Sequence, residues 1–360
     1  MKAIVDPIML IKELKKMAPV VLKNTILPII QCVKMDFVGR ELTMTATDLN
    51  TVIIIKTECE SKGEHSFVIP YSDICDVCSR ASGPLHINVD DKNISLKYEN
   101  SCFKIQKPGD AKDFPKTTEY DVLNTVAVDG DFFFSLSGAN ECKHKDAQFS
   151  VISNVGVDFS KENITVVGTN GALMYKKVFH IPCDKKTVAS VPSEFIIITK
   201  LFQECELKVS NKNISATYGN TTVSSLLSEV PFVDYRHILP KDVIYNIRID
   251  KESLCHAINN VSIAASKKTG MLKISSSTPR KVLFEANDIE NNKEGLTEIS
   301  VEANDVFPTI SILGAGLLNV LKTINAGYVK ISISNEKYPI YIQPEDDEDV
   351  LLFVAPIVTI

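Results

Sequence analysis

Ala3-Ile4-Val5-Asp6, running into PIMLIKELKKM, returns as Val126-Ala127-Val128-Asp129 before GDFFFSLSGAN. It returns again as Ile247-Arg248-Ile249-Asp250 before KESLCHAINNV. The three aspartates stand 123 and 121 residues apart. A short apolar strand ending in Asp is a natural helix entry, because the carboxylate accepts from the unpaired N–H groups of the first turn. Pro7 suits the first helical position. Four residues beyond each aspartate stands a large apolar residue, Leu10, Phe133 and Leu254, which starts a buried face.

A second strand-to-helix junction repeats too. Pro70, Pro192 and Gly314 each close an apolar strand and precede a helical pattern, at spacings of 122 and 122 residues. Asn93-Ile94-Ser95 recurs as Asn213-Ile214-Ser215, and Leu42–Asp48 matches Ile164–Asn170 at a shift of 122. The third copy, around Phe284-Glu285-Ala286-Asn287, is looser. A period near 120 residues is too long for a solenoid and implies consecutive similar domains. The reading is α+β, with three repeated domains at residues 1–121, 122–244 and 245–360. Each holds two short helices packed on antiparallel sheets built from alternating β-branched segments. Such units in an arc leave an unpaired sheet edge at either end. Edges invite strand pairing, and a head-to-tail contact closes into a ring if the rotation fits.

The chain has 360 residues, 44% of them hydrophobic and 23% charged, with a formal net charge of −6. That is a globular composition. No stretch reaches the roughly 20 apolar residues of a membrane span. The start meets Asp6 and Pro7 too early for a signal-peptide core, so a cytoplasmic location is expected. The nine cysteines form no framework and read as small buried hydrophobes. Net acidity argues against a uniformly basic nucleic-acid binder but leaves room for a basic face.

In the first helix Leu10, Leu14 and Met17 form one stripe, with Lys12, Lys15 and Lys16 on the other side. Comparable positive charge sits late in, or just after, the other helices: Arg80, Lys143, Lys145, Lys200, Lys267, Lys268 and Lys322. Each is open to two readings, a solvated amphipathic face or part of a basic track for phosphates.

Catalytic signatures are missing. Ser266-Lys267-Lys268-Thr269-Gly270 lacks the glycines of a phosphate loop. Cys75 and Cys78 form a lone C-x-x-C inside a predicted helix, without the second pair a zinc site needs. The run Glu345–Asp349 reads as a solvated turn. Nothing assembles nucleophile, base and orienting group, so neither enzyme activity nor a cofactor or metal is expected.

Leu27-Pro28-Ile29-Ile30, Ala46-Thr47-Asp48-Leu49-Asn50, and Phe103-Lys104-Ile105 running to Asp113-Phe114-Pro115 resemble the first domain of the bacterial β sliding clamp family. Gly168–Met174 and Phe232–Pro240 resemble its second domain. Leu317–Leu321 and Phe353–Ile357 resemble its third. The match runs the length of the chain in order. The resemblance implies the DNA-clamp fold and a non-enzymatic processivity factor: a two-chain, head-to-tail ring that encircles double-stranded DNA without reading sequence and slides. Its partners would be the replicative polymerase and an ATP-driven clamp loader.

The resemblance also implies roles. Facing DNA would be the basic residues above, together with Lys23 in the loop before Leu27. A peptide pocket between the second and third domains would use Thr169, Gly171, Met174, Val233, Ile238, Val354, Ala355, Pro356 and Ile357. The dimer contact would join Phe103 and Ile105 to Ile263 and Ala264. The chain departs from the family at Val233 (often Pro), Asn170 (Asp), Ala172-Leu173 (His-Arg) and an uncharged C-terminal end. Ala264 is smaller than the family's usual residue there. A clamp-fold protein-interaction scaffold that does not encircle DNA is the alternative.

Overall fold

Among the described residues the α-helices are α1 (Pro7–Met17), α2 (Tyr71–Arg80), α3 (Gly130–Cys142), α4 (Ser193–Thr199), α5 (Lys251–Ser262) and α6 (Leu317–Lys322). They are outnumbered by strands, and every described strand pair runs antiparallel. The computed structural model describes all residues except 1, 22–24, 119, 150, 239–242, 315 and 358–360. It divides into two compact units, Met1–Gly130 with Glu194–Leu227, and Asp131–Ser193 with Ser228–Ile360. The second sequence repeat therefore contributes to both.

The first unit holds a five-stranded sheet in the order Glu60–Ser61, Lys2–Val5, Leu85–Val89, Asn93–Tyr98, Ser101–Gln106. Its eight-stranded sheet runs Asn124–Val128, Cys205–Val209, Asn213–Tyr218, Thr221–Leu226, Thr51–Glu58, Glu41–Thr47, Cys32–Val38, Glu64–Pro70. α1 and α2 pack on each other. The Asp6 carboxylate accepts the Ile8 N–H at 2.9 Å and starts α1. Leu10, Leu14 and Met17 are at most 1% exposed, while Lys12, Lys15 and Lys16 face water. Burying each such apolar side chain contributes about 1.5–3 kcal/mol. Glu13, on the same helix, is buried, and the alternation had not marked it. It accepts from Lys16 at 2.7 Å and from Asn220 Nδ2 at 3.3 Å.

The second unit holds a nine-stranded sheet in the order Thr187–Val191, Val155–Phe159, Ile164–Thr169, Leu173–Phe179, Val350–Val354, Ile340–Pro344, Tyr328–Ile333, Tyr245–Asp250, Glu302–Ala303. Its four-stranded sheet runs Lys293–Ser300, Lys281–Asp288, Met271–Thr278, Ile310–Leu313. α5 lies on Lys293–Ser300 and touches α6. Asp250 caps α5, accepting from Ser253 N at 2.8 Å. Hydrogen bonds from the Ser253 hydroxyl and backbone hold its carboxyl below the usual range. Beneath α3, Gly168 permits a close approach: a Cβ there would lie 1.8 Å from the Ala139 carbonyl oxygen.

Two joints between sequence repeats are visible, one inside each unit. In the first, Thr221–Leu226 pairs with Thr51–Glu58, setting Ser225 opposite Thr51. In the second, Val350–Val354 pairs with Leu173–Phe179, setting Val354 opposite Leu173. Thr51 and Leu173 are 122 residues apart, one repeat period, so the two joints share a register.

Glu345–Asp349 is the exposed turn expected from sequence, and distant side chains hold it in place. Arg248 grips Glu345 through two hydrogen bonds of 2.7 and 2.9 Å, Asp347 lies 3.2 Å from Lys177, and His180 lies 3.1 Å from Asp349. These partners are 97 to 170 residues away in sequence, beyond the reach of local pattern. The cysteine reading also needs one correction: Cys32, Cys59, Cys78, Cys142 and Cys183 are buried, but Cys102 is exposed on the strand Ser101–Gln106.

Candidate nucleic-acid interface, partner groove and subunit edges

On α1, the helix periodicity turns Lys12, Lys15 and Lys16 away from the core. Lys15 stands close enough to α2 for its charge to act on the Cys75 thiol, which burial pushes up and Lys15 pulls back. Arg80 ends α2 and folds back on it, Nη1 donating to the Asp76 carbonyl at 2.8 Å. Lys200 follows α4 and is exposed. In the second unit, Lys145, Lys267 and Lys322 are exposed after or at the ends of α3, α5 and α6. Lys12, Lys15, Lys145, Lys200, Lys267 and Lys322 make no ion pair among the described residues.

Four of the basic residues are engaged, which sequence did not foresee. Lys16 pairs with Glu13, Arg80 with Asp76, and Lys268 with Glu290 at 2.7 Å. Lys143 is half-buried and donates to the Ser153 carbonyl at 2.9 Å. Lys23 lies outside the described residues.

The pocket residues lie in the second unit around the joint of Leu173–Phe179 with Val350–Val354. Val167, Met174, Tyr341 and Phe353 form a buried apolar cluster, against which Phe232, Tyr235, Ile238, Leu351 and Ala355 pack half-exposed. One cross-strand row explains it: Thr169 faces Met174, Met174 faces Phe353, and Phe353 faces Tyr341. Phe232 reaches over Gly156 so closely that a Cβ there would lie 2.4 Å from its ring. Tyr341 donates from its hydroxyl to the Ile238 carbonyl at 3.3 Å, and Tyr235 to Asp158 Oδ2 at 3.4 Å. Burial pushes the Tyr235 phenol up to about 12, so both phenols stay neutral near pH 7 and act as donors.

Met174, Ile238 and Ala355 thus come together. Thr169 and Gly171 shape the turn instead: the Thr169 hydroxyl donates to the Leu173 carbonyl and accepts the Gly171 N–H. Val354 is corrected. Strand alternation turns it away from Phe353 into the core beside Leu317 and Ile340, at 2% exposure. Pro356 and Ile357 leave the joint and bond to the strand Ile310–Leu313. Val233 is half-buried beside Phe232 in sequence but is not part of the cluster. The aromatic members Phe232, Tyr235, Tyr341 and Phe353 were absent from the sequence-based set. Val350–Val354 carried a signal for them, because VLLFV is apolar on both alternating faces and so must be covered on both.

Of the edge strands of the four sheets, two carry exposed apolar side chains at positions that matter for self-association. Ser101–Gln106 closes the five-stranded sheet, with Phe103 41% exposed and stacked on Tyr98 at 5.9 Å. Lys293–Ser300 closes the four-stranded sheet, with Leu296 57% exposed. Ile263, after α5, is 75% exposed, but Ala264 is only 6% exposed. Its Cβ lies 3.0 Å from where a Gly295 Cβ would stand. Ala264 is therefore packed inside its own unit, and its small size answers to Gly295.

The sequence pattern of the DNA polymerase III beta subunit N-terminal domain matches residues 1–118, and that of the C-terminal domain matches 236–358. The chain belongs to the DNA polymerase III beta subunit family. The beta sliding clamp of Pseudomonas putida KT2440 is 23% identical over 359 residues, covering 96% of this chain and 97% of that protein. The Vibrio cholerae beta sliding clamp is 22% identical, covering 99% and 100%. Solved sliding clamp structures share the fold. That from Bacillus subtilis superposes with a TM-score of 0.92 at 14% identity, covering all of both chains. One from Pseudomonas aeruginosa gives 0.89 at 22%, again covering both completely. The α+β architecture expected from the repeat and the clamp fold implied by the resemblance are the ones found. No helix among the described residues of this family member is long and apolar enough to cross a membrane.

Proposed function

We propose that this chain is a sliding clamp: three domains per chain, two chains per ring, duplex DNA through the middle. The supporting observation is the symmetry of the strand joints. Thr221–Leu226 and Val350–Val354 each dock on the strand one repeat earlier. By the same repeat, Ser101–Gln106 corresponds to Thr221–Leu226, since Tyr98 faces Ser101 as Tyr218 faces Thr221. Lys293–Ser300 corresponds to Thr51–Glu58, since Asn287 faces Glu294 as Thr47 faces Val52. These two are the edges described above, and a second copy supplies the missing partner of each. The transferred register puts Phe103 opposite Gly295 of the second copy, Lys104 opposite Glu294, and Cys102 opposite Leu296. A bulky ring against a glycine and a lysine against a glutamate are complementary pairs.

Each joint is head to tail, pairing two different edges, and two copies close it under a two-fold axis into a ring with two identical joints. The unpaired lysines Lys12, Lys15, Lys145, Lys200, Lys267 and Lys322 would meet phosphates without base contacts, which favours sliding over fixed binding. An overall charge of −6 disfavours DNA elsewhere on the surface. The cluster of Met174, Tyr341 and Phe353 with its half-exposed aromatic rim is the groove for partner peptides from the polymerase and an ATP-driven loader. The protein would work by topology and carry no catalysis. The scaffold alternative drew on the uncharged C-terminal end and on the small Ala264, of which packing against Gly295 accounts for the second.

The test is retention after loading onto DNA. The wild-type protein should remain on closed circles and run off the same DNA once linearised, and Lys12→Glu/Lys15→Glu should shorten retention and flatten its salt dependence. Equal loss from circular and linear DNA would end the proposal.

A further inference from the structure

A cleft of about 1120 Å³ opens in the first unit at the start of α1, walled by residues 38–41 and 56–60. Its floor holds the buried Val5 and Cys59, while Ile8 and Val38 at its mouth are 74% and 54% exposed. The second repeat closes the equivalent space. Thr57 and Phe179 are equivalent, since Leu42 faces one as Ile164 faces the other. Met9 and Phe132 each stand three residues past the aspartate that precedes their helix. Phe132 meets Phe179 edge-on at 5.5 Å, and Asp131 binds Lys177 at 2.7 Å. In the first repeat Met9 and Thr57 both line open space, and Ile8 and Ile55 stand in place of the ion pair. The side chains at the mouth change with the opening. α3 and α5 carry an acid in the first turn, Asp131 and Glu252, which complements the helix dipole. α1 has none, and the equivalent position is Ile8. Val38 likewise replaces Ser160, since Phe37 faces Leu42 as Phe159 faces Ile164. The rim is acidic in balance. Glu41 is paired with Lys56 at 3.0 Å. Glu58 and Glu60 stand against Arg40 alone; all three are exposed and make no ion pair among the described residues.

We infer that this cleft docks a segment of a partner protein that presents apolar side chains flanked by lysine or arginine. The inference goes beyond the clamp reading, because every residue of the cleft belongs to the first repeat and none to the aromatic cluster. The volume exceeds the roughly 300–1,000 Å³ of a small-molecule pocket and suits several side chains of a peptide. Covering Ile8, Met9 and Val38 removes apolar surface from water, which supplies the attraction. Glu58 and Glu60 set the sign of the charge beside those anchors and so select among apolar segments. The same two carboxylates repel phosphates, so nucleic acid is the wrong occupant.

The experiment uses the full chain and three fluorescein-labelled decapeptides, each with a central Leu-Phe pair flanked on both sides by Lys, by Gln or by Glu. Binding is read by anisotropy. The Lys peptide should bind about fivefold more tightly than the Gln peptide and the Glu peptide weakest of all, with added salt shrinking the differences. Ile8→Asp, which installs the second repeat's residue, should weaken the Lys peptide at least about tenfold without lowering the urea midpoint. Glu58→Gln with Glu60→Gln should bring the Lys and Gln peptides to one affinity. A Lys peptide with benzoylphenylalanine in place of Phe should cross-link to tryptic fragments 3–12 or 35–40, which carry Ile8, Met9 and Val38. Cross-links confined to the fragment that carries Met174 would overturn the cleft as a docking site. So would an Ile8→Asp protein that binds like the wild type, a Lys peptide bound no more tightly than the Glu peptide, or no binding of the Lys peptide at millimolar protein. An Ile8→Asp protein that loses self-association in sedimentation would assign the cleft to a second copy and overturn the partner reading.

Discussion

Truncating Phe103 to alanine tests ring closure with a magnitude that follows from the edge strand. Phe103 is 41% exposed in the free chain. An aromatic side chain offers about 200 Å², so roughly 80 Å² remains for a second copy to cover. At about 25 cal/mol per Å² that area contributes about 2 kcal/mol per joint. The ring has two joints, so Phe103→Ala should weaken dimerisation by about 4 kcal/mol, roughly a thousandfold in dissociation constant. Loss of packing opposite Gly295 would add to this. The substitution also removes the stack on Tyr98, centroids 5.9 Å apart, which lowers the free chain's own stability by about 1 kcal/mol. The two effects separate by concentration. Sedimentation equilibrium across nanomolar to micromolar protein reads the dimer, and urea unfolding of dilute protein reads the chain. Ile289→Ala is the control, because Ile289 is 82% exposed but lies off both edges. A Phe103→Ala protein that dimerises like the wild type would refute the assignment of Ser101–Gln106 to the closing joint. So would an Ile289→Ala protein that loses dimer equally.

Three further outcomes are expected. Leu296→Cys should form an intersubunit disulfide with the native Cys102 on mild oxidation, seen as a doubled mass on a non-reducing gel and abolished by Cys102→Ser. Directly opposed antiparallel residues sit about 4.5–5.5 Å apart at Cα, within disulfide reach, whereas a one-residue slip sends the two side chains to opposite faces. Gly168→Ala should lower the urea midpoint sharply, by more than about 3 kcal/mol, because the added Cβ collides with the Ala139 backbone and no side chain can yield. Asp250→Asn should cost a few tenths to about 1 kcal/mol at pH 7. Asp250 has a depressed native pKa, so its stabilisation is present above the unfolded carboxylate value and fades as pH falls through the native one. Wild type and Asp250→Asn should therefore converge once the pH has fallen through the native carboxyl's lowered value, and a gap that persists in acid would contradict the assigned cap.

The repeat, the Asp-capped helices and the lysine-bearing side of α1 were legible because each is a local pattern. Asp6 and Leu10 are four residues apart, and one helical turn decides both. What escaped was set by contacts between distant segments. Glu13 reads as a surface acid until Asn220, 207 residues later, is brought against it. Glu345–Asp349 is legible as a solvated turn, but its partners Arg248, Lys177 and His180 are not. Ala264 looked like a weakened contact because nothing nearby in sequence reveals Gly295 beneath it. The apolar cluster was half legible. Met174, Ile238 and Ala355 come from motifs, but the aromatic wall needed the strand register, which places Tyr341 opposite Phe353 and both beside Met174.

The same register accounts for a groove at one joint and not at the others. The outward positions filled by Val167, Met174 and Phe353 correspond, through the matched pairings, to Thr45, Val52 and Ser224 at the joint of the first and second repeats. Tyr341 corresponds to Ser215, which faces Ser224 as Tyr341 faces Phe353. Hydroxyl groups there remain half-exposed and hydrated, so a peptide gains little by covering them. At the proposed joint between copies the corresponding positions are Glu285, Glu294 and Lys104, a charged set suited to pairing across a closing interface. In the proposed ring, three joints built on one backbone pattern would carry three chemistries: hydroxyl between the first and second repeats, charged between copies, and aromatic at the proposed partner groove. Exchanging Val52 and Ser224 for the groove's Met and Phe should then create a second site on each chain, raising the peptide stoichiometry at saturation from one to two. A stoichiometry that stays at one would mean that the rim residues Phe232, Tyr235 and Ile238, and not the joint itself, define the groove.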